Sequence, residues 1–356
     1  MSVMVDKMSA RRGGPLAVVG QVLLVSLVAI IGWNIALPGL DPSFMAARTA
    51  DGIPSQLSLL ALGVGPILTA LALGQIIRLI VPRVENSLVL VLGEGVVALL
   101  LAASQAYAIS EAMSAMGILA DDSRFGPLGF VASLLGSTAV LLFLSRRVIL
   151  PSLVAGFWIL WLLPALMGLP AQFSLSFDLL RTGVVTGSQL LVTLVVIAVG
   201  AALSIFATRA VMISYDKSAP DETVKRHVPL LNIVVWPPLL AASAGGYLLT
   251  PLAFLAPDSL PDANWLKVYV LATTAILIPI FVFYYRRLFS RNGVILLTPT
   301  LLMLAAVQIV LVLGGAFVLE KLAMPVPLSG TTLLVLVAVG YTLAEALRRP
   351  RSTVGV

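Results

Sequence analysis

From Ser87 to Ile109 the chain runs on with a single charged side chain, Glu94. A membrane crossing needs about 20 apolar residues, and runs of this kind recur along the whole sequence. Ten candidates stand out: Leu16–Leu37, Leu57–Val81, Ser87–Ile109, Phe125–Leu144, Leu150–Leu169, Val184–Ala207, Leu230–Phe254, Leu266–Tyr284, Val294–Leu319 and Leu328–Leu347. Each is hydrophobic all round, as a span immersed in lipid or buried in a bundle must be. Hydrophobic residues make up 60% of the chain and charged residues 11%, against about 25% charged in a soluble domain. The expected fold is therefore all-α: a polytopic membrane protein of ten transmembrane helices in one membrane domain.

The same composition narrows the chemistry. With no cysteine and one histidine, thiolate chemistry, disulfides and Cys or His metal centres are not expected. The sequence contains no HExxH, GxSxG or Walker loop and no paired intramembrane aspartates, so no catalytic site, metal or cofactor is expected. The net charge of +6 sits in short loops and reports topology rather than nucleic-acid binding. Lys7, Arg11 and Arg12 precede a long apolar run that lacks a small-residue cleavage site. That pattern reads as an anchor rather than a removed signal peptide.

Charge also sets orientation. With a cytoplasmic N-terminus, the inner side collects Lys7, Arg11, Arg12, Arg78, Arg83, Arg146, Arg147 and the later basic pairs Arg286-Arg287 and Arg348-Arg349. The outer side collects acids such as Asp41, Asp51, Asp121 and Asp122. Ten spans with both termini in the cytoplasm satisfy the positive-inside rule.

One stretch is built differently. After the break at Leu37-Pro38-Gly39, a polar excursion leads into a second apolar run interrupted by Gly63, Gly65 and Pro66. Broken spans of this kind line cavities more readily than they face lipid, because the freed backbone groups need partners. The pieces Leu37-Pro38-Gly39-Leu40-Asp41 and Leu60 to Ala70, with Gln75 beyond, resemble the first and second helices of the SecY family, the channel subunit of the protein-conducting translocon. Further along, His227 to Asn232 followed by Trp236-Pro237-Pro238 resembles the entry into its seventh helix. Met324-Pro325-Val326-Pro327 with Ser329-Gly330-Thr331 resembles the start of the tenth, and Leu166 to Pro170 the end of the fifth.

That resemblance implies two inverted five-helix halves, residues 1–173 and 174–356, in a prokaryotic plasma (inner) membrane. It implies a channel that passes an unfolded or nascent polypeptide across the bilayer or releases it sideways into the lipid. A SecE-like small membrane subunit is the partner it implies. The pore ring of the family maps onto Val64, Leu68, Trp161, Leu240 and Val335, and the lateral gate onto Gln75 and Asn232. On the residues alone, the ring positions read as ordinary helix packing, and the two amides equally as interhelical glue.

Departures from the family pattern accompany the likeness. Between the first two spans only about Asp41–Ser55 is available for a plug helix. The loop joining the eighth and ninth spans is reduced to roughly Arg286–Gly293, so family-typical docking of SecA or the ribosome does not carry over. The remaining long inner loop, Thr208–Pro229, offers Arg209, Lys217, Lys225 and Arg226 to a cytoplasmic partner. Its Val211–Tyr215 and Thr223–Val228 stretches suggest a small β-hairpin. Glu94 admits a functional reading, proton coupling, and a structural one, in which it pairs with Arg78 or snorkels toward the cytoplasmic face. Two other functions stay open: a secondary transporter or small-molecule permease whose site uses Glu94, Gln75 and Asn232, and a non-conducting assembly scaffold.

Overall fold

The computed structural model describes residues 15–41, 57–81, 84, 87–119, 126–148, 150, 152–153, 156–218, 229–255, 263–315, 317–318 and 328–348. Among these there are ten helices: α1 (Pro15–Trp33), α2 (Gly65–Ile80), α3 (Leu88–Ala115), α4 (Gly126–Arg147), α5 (Phe157–Arg181), α6 (Gly187–Ser218), α7 (Asn232–Leu255), α8 (Ala263–Arg291), α9 (Thr298–Ile309) and α10 (Gly330–Arg348). Seven of them, α3 to α8 and α10, are long and apolar enough to cross a membrane, and α1, α2 and α9 are shorter apolar helices. Each expected span thus corresponds to one helix.

The helices group into two compact units. The first holds the described residues of 15–148 and 156–161, and the second those of 150–153 and 162–348. The boundary falls inside α5, between Trp161 and Leu162.

In the first unit α3 packs against both α2 and α4. Gly95, Ala98, Ala102, Ala106 and Ser110 form the buried stripe of α3. Small side chains at this spacing let helix backbones approach closely, which is how membrane helices associate without a solvent-driven hydrophobic effect. The facing stripe of α4 carries Phe130, Leu134, Thr138 and Leu141. Over one end of this pair sits a backbone lattice. Leu37 N–H donates to Leu57 at 2.9 Å, Leu59 N–H to Ile35 at 2.8 Å, and Asp41 N–H to Ile118 at 2.9 Å. Leu37, Leu40 and Leu57 bury their side chains there with Met113, Phe130 and Leu134.

In the second unit α7 packs against α8 and α10, and α9 against α6 and α8. α7 is the most enclosed of the spanning helices, with every residue from Leu231 to Pro238 buried. α9 does not end at Ile309 but widens into one π-helical turn, Val310–Gly314. Gly330, the first residue of α10, lies so near the Leu311 carbonyl that an added Cβ would collide with it.

The expected hairpin does not form at Val211–Tyr215. This stretch belongs to α6, which runs unbroken to Ser218. The buried positions Ala207, Thr208, Val211, Ser214 and Tyr215 recur at helical spacing, so packing overrides the β-propensity of this stretch. Ser214 Oγ also accepts the Leu297 N–H at 3.3 Å, tying the helix to the start of α9. Arg209 and Lys217 consequently sit on a helix and not in a loop. Lys225, Arg226 and the Thr223–Val228 stretch lie outside the described residues, as does the plug candidate from Pro42 to Ser55.

Candidate functional site

The broken second span becomes a turn followed by a helix. Residues 57–64 form tight turns, with Gly63 at φ +55°, a left-handed conformation that favours glycine. α2 starts only at Gly65, with Pro66 in its first turn, where a missing N–H costs nothing. At about 1.5 Å per residue its 16 residues reach only about 24 Å, short of a bilayer core. Val64 is the N-cap, and its carbonyl accepts the Leu68 N–H at 2.9 Å. The two candidate ring residues of this span therefore sit one turn apart, both half-buried.

Trp161 is the third ring candidate in the first unit. Its ring stands edge-on to the fully buried Trp158 at 6.4 Å, and Trp158 is in turn edge-on to Phe157 at 5.3 Å. This ladder holds Trp161 while leaving part of its surface free. In the second unit the ring candidates Leu240 and Val335 have no exposed surface.

Gln75 is half-buried on α2. Its neighbour Gly74 is the seat of Glu94: the carboxylate lies directly on the glycine, where a Cβ would displace it. Arg78, one turn on, places Nη2 at 2.8 Å from Glu94 Oε1. Arg146 of α4 approaches the same region and donates to the Val91 carbonyl at 3.3 Å. Beside the pair, α2 and α3 enclose a groove of about 280 Å³ whose apolar walls include Ala70, Leu73, Ile77, Leu90 and Val97. Glu94 is therefore a paired charge near the basic end of α2.

In the second unit Asn232 is the first residue of α7, and its buried Oδ1 has no hydrogen-bond partner. The preceding Leu231 N–H donates to the Ser152 carbonyl at 3.1 Å, and Ser152 Oγ donates to Glu345 Oε2 of α10 at 2.6 Å. Arg209 Nε donates to the Tyr341 hydroxyl at 3.0 Å, so this basic residue is held against α10. Sequence reasoning missed Gln308 of α9. Fully buried, it donates through Nε2 to the carbonyls of Ile233 and Val234 at 3.0 and 2.9 Å. Its signal was a lone amide in an otherwise apolar span.

Ten apolar helices, one preceded by turns and one widened by a π turn, define a polytopic all-α membrane protein. The particular fold is that of the SecY and Sec61 channels. Solved structures that share it include the following three. One is a SecY channel whose plug domain stabilises the closed state of the translocation channel and maintains a membrane seal, with a TM-score of 0.55. Another is a protein-conducting channel at 0.52, and the third is Sec61 in the canine ribosome–channel complex from the endoplasmic reticulum at 0.53. In each case identity is 12%, and the match covers 92% of this chain and 90% of the other. No protein-family model and no curated protein matches the sequence.

Proposed function

We propose that this protein is a SecY-like protein-conducting channel of a prokaryotic plasma membrane, with both termini cytoplasmic. It passes an unfolded polypeptide across the bilayer or releases it sideways into the lipid. The observation that carries this reading is the agreement of fold over nine-tenths of both chains. In this reading Val64, Leu68, Trp161, Leu240 and Val335 form an apolar constriction. Such a constriction excludes water and ions yet yields to a chain pushed through it. Gln75 and Asn232 serve as the lateral-gate residues, a SecE-like subunit clamps the assembly, and the polypeptide is a substrate threaded without chemistry. Lys225 and Arg226 contact a cytoplasmic partner.

A transporter reading would need Glu94 open to a substrate. Its 2.8 Å pairing with Arg78 favours the channel instead. The test is electrical. In planar bilayers the parent protein is expected to be silent and Trp161→Gly to pass ions, because the largest side chain of the constriction is gone. Deleting Phe44–Ala47 is expected to change little. A leaking deletion beside a silent glycine variant would make the outer segment the seal and remove Trp161 from the constriction.

A further inference from the structure

Two consecutive prolines occupy the second turn of α7, Pro237 and Pro238. Neither has an N–H. In a regular helix the carbonyl of residue i accepts from the N–H of residue i+4. The carbonyls that lose this donor are therefore those of Ile233 and Val234. These are the two carbonyls to which Gln308 Nε2 donates, at 3.0 and 2.9 Å.

We infer that Gln308 is a positioning residue, a latch whose side-chain amide supplies the two hydrogens missing from the proline pair and so holds the first turns of α7 straight against α9. Three observations converge on it. An unsatisfied carbonyl away from water costs several kcal/mol, and every residue from Leu231 to Pro238 is buried. The two N–H groups of one amide are enough for two adjacent carbonyls, and the contact fixes which end of the amide is nitrogen. The π turn of α9 begins at Val310, two residues beyond Gln308. A π turn carries an extra residue and so changes the direction of the side chains around it.

The latch has a mechanical consequence. A helix interrupted by two prolines is a hinge, and here the hinge is closed by a group on another helix. Any bend that draws the first turn of α7 away from Gln308 strands two carbonyls, and in a membrane only water or another donor can replace the amide. Bending of α7 is thus coupled to wetting of the interior beside it. This last step rests on the channel reading, in which a wetted path exists; the latch itself does not.

The experiment is a rescue cycle read by hydrogen exchange on the full chain in nanodiscs. Gln308→Met keeps the length and removes the donors. Backbone amides in residues 231–240 are expected to exchange about tenfold faster, as the loss of two interhelical hydrogen bonds implies. Pro237→Ala with Pro238→Ala restores the backbone donors, and in that background Gln308→Met is expected to leave exchange unchanged. An equal effect in both backgrounds, or no effect in the native one, overturns the latch. If Gln308→Met alone yields no folded protein, recovery of folded protein on adding the two alanines supports the latch, and failure to recover overturns it. Ion conductance of Gln308→Met is a separate measurement. Faster exchange without current keeps the latch and counts against the channel.

Discussion

The two units each place strong polar groups inside apolar helices, and they do it by opposite means. At the α2–α3 contact a glycine makes room for a carboxylate, and the carboxylate meets a guanidinium at 2.8 Å. At the α7–α9 contact two prolines expose carbonyls, and a neutral amide covers them. Exposure explains the choice. The Arg78 and Glu94 side chains keep 15% and 9% of their surface, and Arg78 lies in the last turn of α2, where the helix dipole also favours a cation. Gln308 keeps none. Charge is affordable where water or headgroups can still reach it, whereas a sealed interior takes a neutral donor.

The largest expected effect breaks the ionic member of this comparison. Arg78→Ala removes the ion-pair partner of Glu94 and leaves it only the field of Arg146, and is expected to cost about 3 kcal/mol. Replacing Arg78 and Glu94 together with Met is expected to recover most of that. Denaturant titration in micelles measures both variants, and a double variant as unstable as the single one would mean that the pair holds the helices by more than charge.

A smaller effect separates rigid from yielding neighbours. Gly330→Ala drives a Cβ into the Leu311 carbonyl, which is backbone and cannot turn aside. A loss of about 2 kcal/mol is expected. Gly74→Ala meets the Glu94 side chain from Cγ to the carboxylate, which is flexible and can turn aside where backbone cannot. About 1 kcal/mol is expected there, and the same titration ranks the two. A reversed order would show that the carboxylate is clamped as firmly as backbone.

The smallest effect concerns a single hydrogen bond. Ser152→Ala removes the donor to Glu345 and is expected to cost about 1 kcal/mol. Thermal unfolding followed by tryptophan fluorescence is the check. A much larger loss would show that the hydroxyl also holds in place the Ser152 backbone, whose carbonyl accepts the Leu231 N–H just ahead of α7.

Residue order alone determined the helices, because a run of about 20 apolar residues has few stable states in lipid other than a helix. It also marked the break at Gly63-Val64-Gly65-Pro66, where α2 begins, since glycine and proline act through local backbone geometry. It offered pairing with Arg78 as one fate of Glu94, and Arg78 is where that carboxylate lies. It misread Val211–Tyr215, whose β-branched and aromatic composition suits a strand. Which state such residues adopt depends on the surface they pack against, and here α6 offers them a helical one. The prolines at 237 and 238 were visible, but the group that completes them sits on α9, 74 and 75 residues along the chain from the two carbonyls it covers. Local patterns are written in neighbours and can be read from them. The pairing of Gln308 with two distant carbonyls was decided only by tertiary structure, because a hydrogen bond depends on distance in space and not on separation in sequence.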